Sequence, residues 1–281
     1  MKLKPWLFFL LLAGCGDSVS TTPLALGETS NQIIYGEDSI RETDTGLDLQ
    51  SQASVALMSK KNWELLQRNS PSLTIEEAYS VDSDMVWKDQ PSYSHCTGVV
   101  ITKDRIITAN HCLSEISCED TVVVFGYRRN SKKIEARSCA KLGIHRTDVQ
   151  AGLDYAILKL DEEIEVKPVK IQTESIKVGT ELLVVGFPLG ALQKLSNGVV
   201  RTVENNGNLN SNLDVFSGSS GSPVFDKKSG HLVGILIGGE SDFEMDQKSG
   251  QEVMKRCSDS DCGGEIVTPI KKILADIKNQ L

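Results

Sequence analysis

The sequence predicts an all-β fold, a barrel or sandwich closed by one C-terminal helix. Two observations carry the β assignment. Short apolar runs rich in Val and Ile recur along the chain, and turn residues separate them. A βα alternation would need a helical pattern between most of the runs, and all but one of the gaps hold none, which excludes it. In order the runs are "SVALM" (54–58), "TGVVI" (97–101), "RIITA" (105–109), "VVVFG" (122–126) and "YAILKL" (155–160). They continue with "ELLVVGF" (181–187), "GVVRTV" (198–203), "SPVF" (222–225) and "HLVGILI" (231–237). The closing stretch "TPIKKILADIKNQL" is different: Ile270, Ile273, Leu274, Ile277 and Leu281 fall at helical spacing. Thr268 is its expected cap, with Pro269 in the first turn. A second, shorter helix is expected around "KKNWELLQRN". At 281 residues, 40% apolar and 24% charged, the chain has ordinary globular composition.

The N-terminus reads as an export signal. "MKLKPWLFFLLLAGC" sets two lysines before an apolar run, Trp6 to Ala13, that is too short to span a bilayer. "LAGC" resembles the bacterial lipobox, in which the cysteine is lipidated. The expected organisation is a signal peptide over 1–14, a lipidated Ser/Thr/Gly-rich tether over 15–32 starting at Cys15, and a folded body over 33–281. This places the protein in a bacterial cell envelope, at the periplasmic face or cell surface, held to the membrane through lipid on Cys15 or released from it. Seven cysteines fit an oxidising compartment. Without Cys15 six remain, Cys96, Cys112, Cys118, Cys139, Cys257 and Cys262, which allow 15 pairings. No histidine stands at zinc-ligand spacing to them, so no metal site is implied. A net charge of -8 excludes nucleic acid as a partner.

The stretch "SGSSGSPVFD" (217–226) is either a surface turn or the seat of a nucleophile. A nucleophilic serine needs a base, and the base needs a group to hold it. Of the four histidines, His95, His111, His145 and His231, His111 closes the apolar run "IITANHCL" beside Cys112. Asp154 opens the strand in "GLDYAILKL". The chain order is His111, Asp154, Ser220.

"TANHC", "LDYAILKL" and "GSSGSPVF" together resemble the His, Asp and Ser motifs of the trypsin-like serine peptidases. The "SGSP" form and the spacing are most similar to the bacterial glutamyl-endopeptidase branch. The resemblance implies a double six-stranded β-barrel of chymotrypsin type, with barrels over 33–165 and 166–267 and a helix over 268–281. It implies an endopeptidase in which Ser220 attacks, His111 is the base and Asp154 orients it. The N–H groups of Gly218 and Ser220 would form the oxyanion hole. Cys96 and Cys112 would be bridged, leaving Cys118–Cys139 and Cys257–Cys262 as the remaining expected pairs. The implied partner is a protein or peptide substrate, acted on by a monomer that needs no cofactor.

Three departures from the family pattern matter. Ser219 stands where trypsin-like zymogens carry the Asp that binds a newly cut N-terminus, so activity is expected not to depend on a cut near Ile33 or Ile34. Leu236 aligns with the histidine that receives the substrate carboxylate in glutamyl endopeptidases, which argues against a strong preference for Glu. Asp214 lies six residues before Ser220, where trypsins place the acid for Lys or Arg, and also reads as a turn or hydrogen-bonding residue. Asp214, Leu236 and Gly238 are the candidate pocket residues, and Glu240 reads as a solvated charge in preference to a rim residue. The acidic run "ESDFEMDQ" (240–247) reads as a solvated face in preference to a calcium loop. The insertion from about Lys60 to Gln90 is a lid, a partner surface or decoration. The rival function keeps the fold and drops the chemistry, giving a catalytically silent binding lipoprotein.

Overall fold

The computed structural model describes residues 34–43, 49–70, 72–81, 83, 85–248, 250 and 252–280. The expected signal peptide, Cys15 and tether lie outside the described residues. Two short strands lead, β1 (Ile34–Tyr35) and β2 (Arg41–Glu42), followed by a five-residue helix α1 (Leu49–Ala53). The first barrel comprises β3 (Ser54–Ser59), β4 (Ser94–Thr102), β5 (Arg105–Thr108), β6 (Thr121–Phe125), β7 (Glu135–Asp148) and β8 (Leu153–Leu160). It closes in the order β3-β4-β5-β8-β7-β6. Val55, Leu57, Val99, Ile107, Val123, Tyr155 and Leu158 fill its interior.

The second barrel comprises β9 (Glu181–Gly186), β10 (Lys194–Val203), β11 (Leu209–Ser211), β12 (Pro223–Asp226) and β13 (Leu232–Gly238). Two small strands follow as a hairpin, β14 (Phe243–Met245) and β15 (Glu252–Met254), then β16 (Arg256–Cys257) and the closing barrel strand β17 (Glu265–Pro269). The order β11-β17-β13-β12-β9-β10, with β10 also paired to β11, makes a closed ring of six. The apolar runs of the sequence therefore become two closed six-stranded barrels, and closure removes the exposed edges that open sheets must protect.

Both ends of the described chain cross to the other barrel. β2 adds a seventh strand to β10, and β1 pairs in parallel with β16. The sequence grouped this segment with the first barrel; its hydrogen bonds place it on the second. The closing helix (Ile270–Gln280) packs back on the first barrel. Its buried Ile270 and Ile273 join that core, while Tyr155 Oη donates to Asp276 at 2.7 Å. Burying two such side chains contributes roughly 3–6 kcal/mol. The helix starts later than its sequence suggests, because Thr268 and Pro269 are taken into β17 opposite Ile235 and Gly234. Leu274, although at helical spacing, is 40% exposed. The helix expected around "KKNWELLQRN" is present over Lys60–Gln67, capped by Ser59. All three expected disulfides are formed: Cys96–Cys112, Cys118–Cys139 and Cys257–Cys262. Among the described residues, no helix is long and apolar enough to cross a membrane.

Candidate active site

His111 sits just past β5, at the start of a one-turn helix (Cys112–Glu115). The Cys96–Cys112 bridge ties that turn to β4. Asp154 is the second residue of β8, and β8 runs beside β5 with Ala156 opposite Thr108. That pairing brings the strand end carrying Asp154 to the strand end carrying His111. Both carboxylate oxygens are used. Oδ1 accepts the His111 backbone N–H at 3.1 Å, and Oδ2 lies 2.5 Å from His111 Nδ1. A carboxylate accepts only, so the Nδ1 position facing Asp154 is the donor, and the tautomer that satisfies this contact has Nε2 as its acceptor. The carboxylate thus fixes both tautomer and ring orientation.

Ser220 lies on the turn that leads into β12, and it is 1% exposed. The first barrel grips this turn. Thr97 N–H donates to the Ser220 carbonyl at 2.8 Å, and Thr97 Oγ1 donates to the Gly218 carbonyl at 2.9 Å. Cys112 Sγ lies 3.7 Å from the same Ser220 carbonyl, and a ring nitrogen of His111 stands within 4.8 Å of the bridged sulfurs. Those sulfurs are joined to each other, so the cluster offers no thiolate to a metal. Ser220 Oγ and His111 Nε2 are both buried without a hydrogen-bond partner, and they do not bond to each other in this structure.

The backbone of the turn is equally selective. Ser219 N–H donates to Phe216 O (2.9 Å), Gly221 N–H to Leu236 O (2.7 Å) and Ser222 N–H to Ser219 O (2.9 Å). The N–H groups of Gly218 and Ser220 have no acceptor among the described residues. Gly218 holds φ +89°, and a Cβ there would meet the Phe187 carbonyl at 2.7 Å. Gly221 holds φ +80°, and a Cβ would overlap the Thr97 carbonyl and the Thr108 hydroxyl. Both conformations favour glycine strongly. Thr97 carries no signal of this role in the sequence, since it acts through contacts with the other barrel.

The pocket residues fall differently. Asp214 is buried, with its carboxylate already occupied: Tyr35 N–H donates to Oδ1 at 2.6 Å, and Ser39 N–H and Oγ reach Oδ2 at 2.8 and 2.6 Å. Burial pushes its carboxyl up to about 6, and these donors oppose the rise. The acid read as a receptor for Lys or Arg instead clasps the N-terminal segment. Leu236 is fully buried in the second core with Leu182 and Val184, and its backbone braces the serine turn. Gly238 faces open space. Glu240 is paired with Lys255 at 2.6 Å and accepts from Gly263 N–H at 2.6 Å, which gives it a structural contact in place of a rim position. The ring nitrogens of His95 are buried, and desolvation holds that group down to about 4, neutral at ordinary pH.

Residues 96–235 match the family model of the trypsin-like peptidase domain, a span that contains His111, Asp154 and Ser220. Over 187 residues the chain is 26% identical to the human peroxisomal leader peptide-processing protease, an alignment covering 64% of this chain and 30% of that protein. The chain thus spans about 30% of the length of this curated relative. Among solved structures it is similar to human heparin binding protein (TM-score 0.58, 15% identity, 88% of this chain and 96% of that one). It is similar to a Glu endopeptidase (TM-score 0.56, 17% identity, 89% and 100%). The Vibrio cholerae VesB protease is a further match (TM-score 0.56, 14% identity, 90% and 68%). At these identities the structural likeness shows the fold, two barrels of chymotrypsin type.

Proposed function

We propose that this chain is a serine endopeptidase working through His111, Asp154 and Ser220. The observation that carries the reading is the Asp154 carboxylate, which uses both oxygens on His111 and leaves Nε2 as a ready base. In the proposed reaction Ser220 Oγ attacks the scissile carbonyl carbon, and its proton passes to His111 Nε2. The negative charge that develops on the carbonyl oxygen is met by the free N–H groups of Gly218 and Ser220. The C–N bond then breaks as His111 returns the proton to the leaving amine. Water, deprotonated by the same nitrogen, releases the acyl group and restores Ser220. Each oxyanion donor contributes about 3 kcal/mol to such a transition state. No step calls on a cofactor.

The proposal extends to place and processing. Lipid on Cys15 would hold the enzyme at the bacterial envelope, where it would act as a monomer on protein or peptide substrates. Ser219 has no carboxylate to bind a new α-amine, so the protein should be active without a cut near Ile34. Protein beginning at Gly16 and protein beginning at Ile34 should hydrolyse peptides at comparable rates; activity confined to the shorter form would overturn this point. Metabolic labelling with an alkynyl fatty acid should mark the wild type and not Cys15→Ser.

A second reading, a silent binding protein of the same fold, draws on the missing hydrogen bond between Ser220 Oγ and His111 Nε2. Catalytic hydrogen bonds are often long before substrate arrives, so resting geometry does not decide between the two. One experiment does. A fluorophosphonate probe should label wild type and leave Ser220→Ala unlabelled, with casein hydrolysis following the same pattern. A folded wild type that neither labels nor cleaves is the silent protein.

A further inference from the structure

Two features of the chain play no part in the chemistry above: the insertion between β3 and β4, and the acidic run after β13. The structure brings them together beside Ser217, three residues before the proposed nucleophile. They enclose a cavity of about 460 Å³ lined by Glu76, Glu77, Tyr79, Ser217, Asp242 and Glu252, with Phe243 against Tyr79. The insertion is anchored here by its own apolar side chains. Ile75 and Trp87 share a core with Phe216 and Ile34, and the Trp87 and Phe216 rings meet edge-on at 6.1 Å. Its short helix (Ile75–Ala78) is fixed by a capping box from Thr74 and Glu77. This segment is therefore a built wall of the cavity.

Asp242 is the unusual member. Its run reads as solvated in the sequence, yet it is 5% exposed. Oδ2 accepts from Ser217 N–H at 3.0 Å, while Oδ1 is buried without a partner. Three further carboxylates line the cavity and no lysine or arginine does. Glu76 is offset by Lys88 at 2.7 Å, and Glu252 accepts from Ser80 Oγ at 3.1 Å. The Tyr79 and Phe243 rings lie nearly parallel, 11° apart with centroids at 6.4 Å. A metal ion is a poor fit, because calcium takes six to eight converging oxygens. Among the described residues these carboxylates do not gather within 4.8 Å of one another. An organic cation fits on both counts, since a buried carboxylate oxygen would pair with it and aromatic rings favour it.

We propose that this cavity is the subsite that receives a cationic side chain of the substrate, lysine or arginine, and that Asp242 is its specificity-determining residue. The proposal rests on the peptidase reading and deepens it. It also relocates the acidic receptor: Asp214 is occupied by the N-terminal segment, and the unpartnered, buried carboxylate oxygen belongs to Asp242. Burial pushes the Asp242 carboxyl up to about 8, against hydrogen bonds from the Ser217 side chain and backbone that lower it, so its charged form is disfavoured. A bound cation supplies the missing counter-charge.

The test separates binding from turnover by using the Ser220→Ala protein, which cannot cleave. Isothermal titration compares benzamidine, a planar cation, with benzamide, its neutral isostere. Benzamidine should bind at least tenfold more tightly, and adding Asp242→Asn should abolish that advantage, while Asp214→Asn should leave it within about threefold. Equal binding of the two probes, or a preference that survives Asp242→Asn, overturns the proposal. If Asp242→Asn does not fold, the exposed pair Glu76→Gln and Glu252→Gln replaces it; benzamidine should then bind threefold to tenfold more weakly, and unchanged affinity overturns the proposal. With active protein, peptides carrying Lys in place of norleucine near the scissile bond should be cut at least tenfold faster, a ratio that Asp242→Asn should reduce to near one. Failure of the fluorophosphonate test with benzamidine selectivity intact would remove the enzyme and keep the pocket.

Discussion

On the first barrel's side of the site, Asp154 matches the His111 amide and Nδ1 with one oxygen each, and a disulfide fixes the turn they share. On the second barrel's side, Ser220 Oγ, the N–H groups of Gly218 and Ser220, and Asp242 Oδ1 have no partner among the described residues. A buried polar group left unmatched costs about 1–3 kcal/mol, and folded proteins rarely accept several within one turn. The first barrel stores orientation in completed contacts around Asp154 and leaves His111 Nε2 as its one open atom in the triad. The second withholds contacts at the points where a substrate would bring charge or a carbonyl oxygen. Under the proposed mechanism the matched half would set the direction of proton transfer, and a substrate would complete the unmatched half.

The contrast is broken most severely by removing a reacting atom. Ser220→Ala and His111→Ala should each lower kcat by about 10⁵–10⁶ with KM little changed. Thermal unfolding of Ser220→Ala should stay within a few degrees of wild type, because its hydroxyl has no hydrogen bond to lose, whereas His111→Ala also gives up the Nδ1 contact with Asp154 and should melt lower. Asp154→Asn comes next, at about 10⁴ in kcat, since an amide presents a donor to the imidazole and stabilises the wrong tautomer. A loss below tenfold would mean that another group orients His111, and the account of the matched half would fail.

Altering the turn sharpens the contrast from the other side. Gly218→Ala should cost about 10²–10³ in kcat by displacing one oxyanion donor. Gly221→Ala should also reduce stability, because its Cβ would run into the Thr97 carbonyl that the serine turn packs against. Activity retained in Gly218→Ala would place the oxyanion donors elsewhere. Comparing melting temperature with kcat for the two variants distinguishes a turn that is strained from one that is merely misaimed.

What the sequence disclosed follows the same line. His111, Asp154 and Ser220 stood out because each lies in a short motif resembling the trypsin-like pattern, the His111–Asp154 contact followed from neighbouring strand ends, and strand periodicity marked the barrels around them. Contacts made across the barrels were silent. Nothing near Thr97 shows that it holds a loop more than a hundred residues away. The run 240–247 looks uniformly solvated, and only its folded path turns Asp242 inward while Glu244 and Met245 face out. Thr268 and Pro269 carry good helix-start chemistry, yet pairing with β13 draws them into a strand. A proline is tolerated at that strand's last residue, where the missing N–H breaks little of the ladder. Asp214 suited a specificity role by position, and the segment that occupies it lies about 175 residues earlier.

Asp214 also yields the smallest of these effects, and one measured in stability. Its carboxyl is raised to about 6 by burial, whereas the same group in an unfolded chain titrates near ~3.9. Over the interval between these values the folded protein keeps a proton that the unfolded chain has released. Stability from this group is therefore fully present below about pH 4 and declines as pH rises through about 6. A shift of this size corresponds to roughly 3 kcal/mol. Asp214→Asn cannot ionise, so the difference in unfolding free energy between wild type and variant isolates the contribution while other titrations cancel. Urea melts at intervals from pH 4 to pH 7 should show wild type losing up to ~3 kcal/mol relative to Asp214→Asn, with most of the loss between pH 4 and 6. The absolute stability of the variant should be lower at pH 4, since an amide can accept from only one side of the Tyr35 and Ser39 donor set. A difference that stays flat across this range would mean that the carboxylate is solvated in the folded protein. The N-terminal clasp would then be open, Asp214 would be free to meet a substrate, and the assignment of the cationic subsite to Asp242 would lose its strongest contrast.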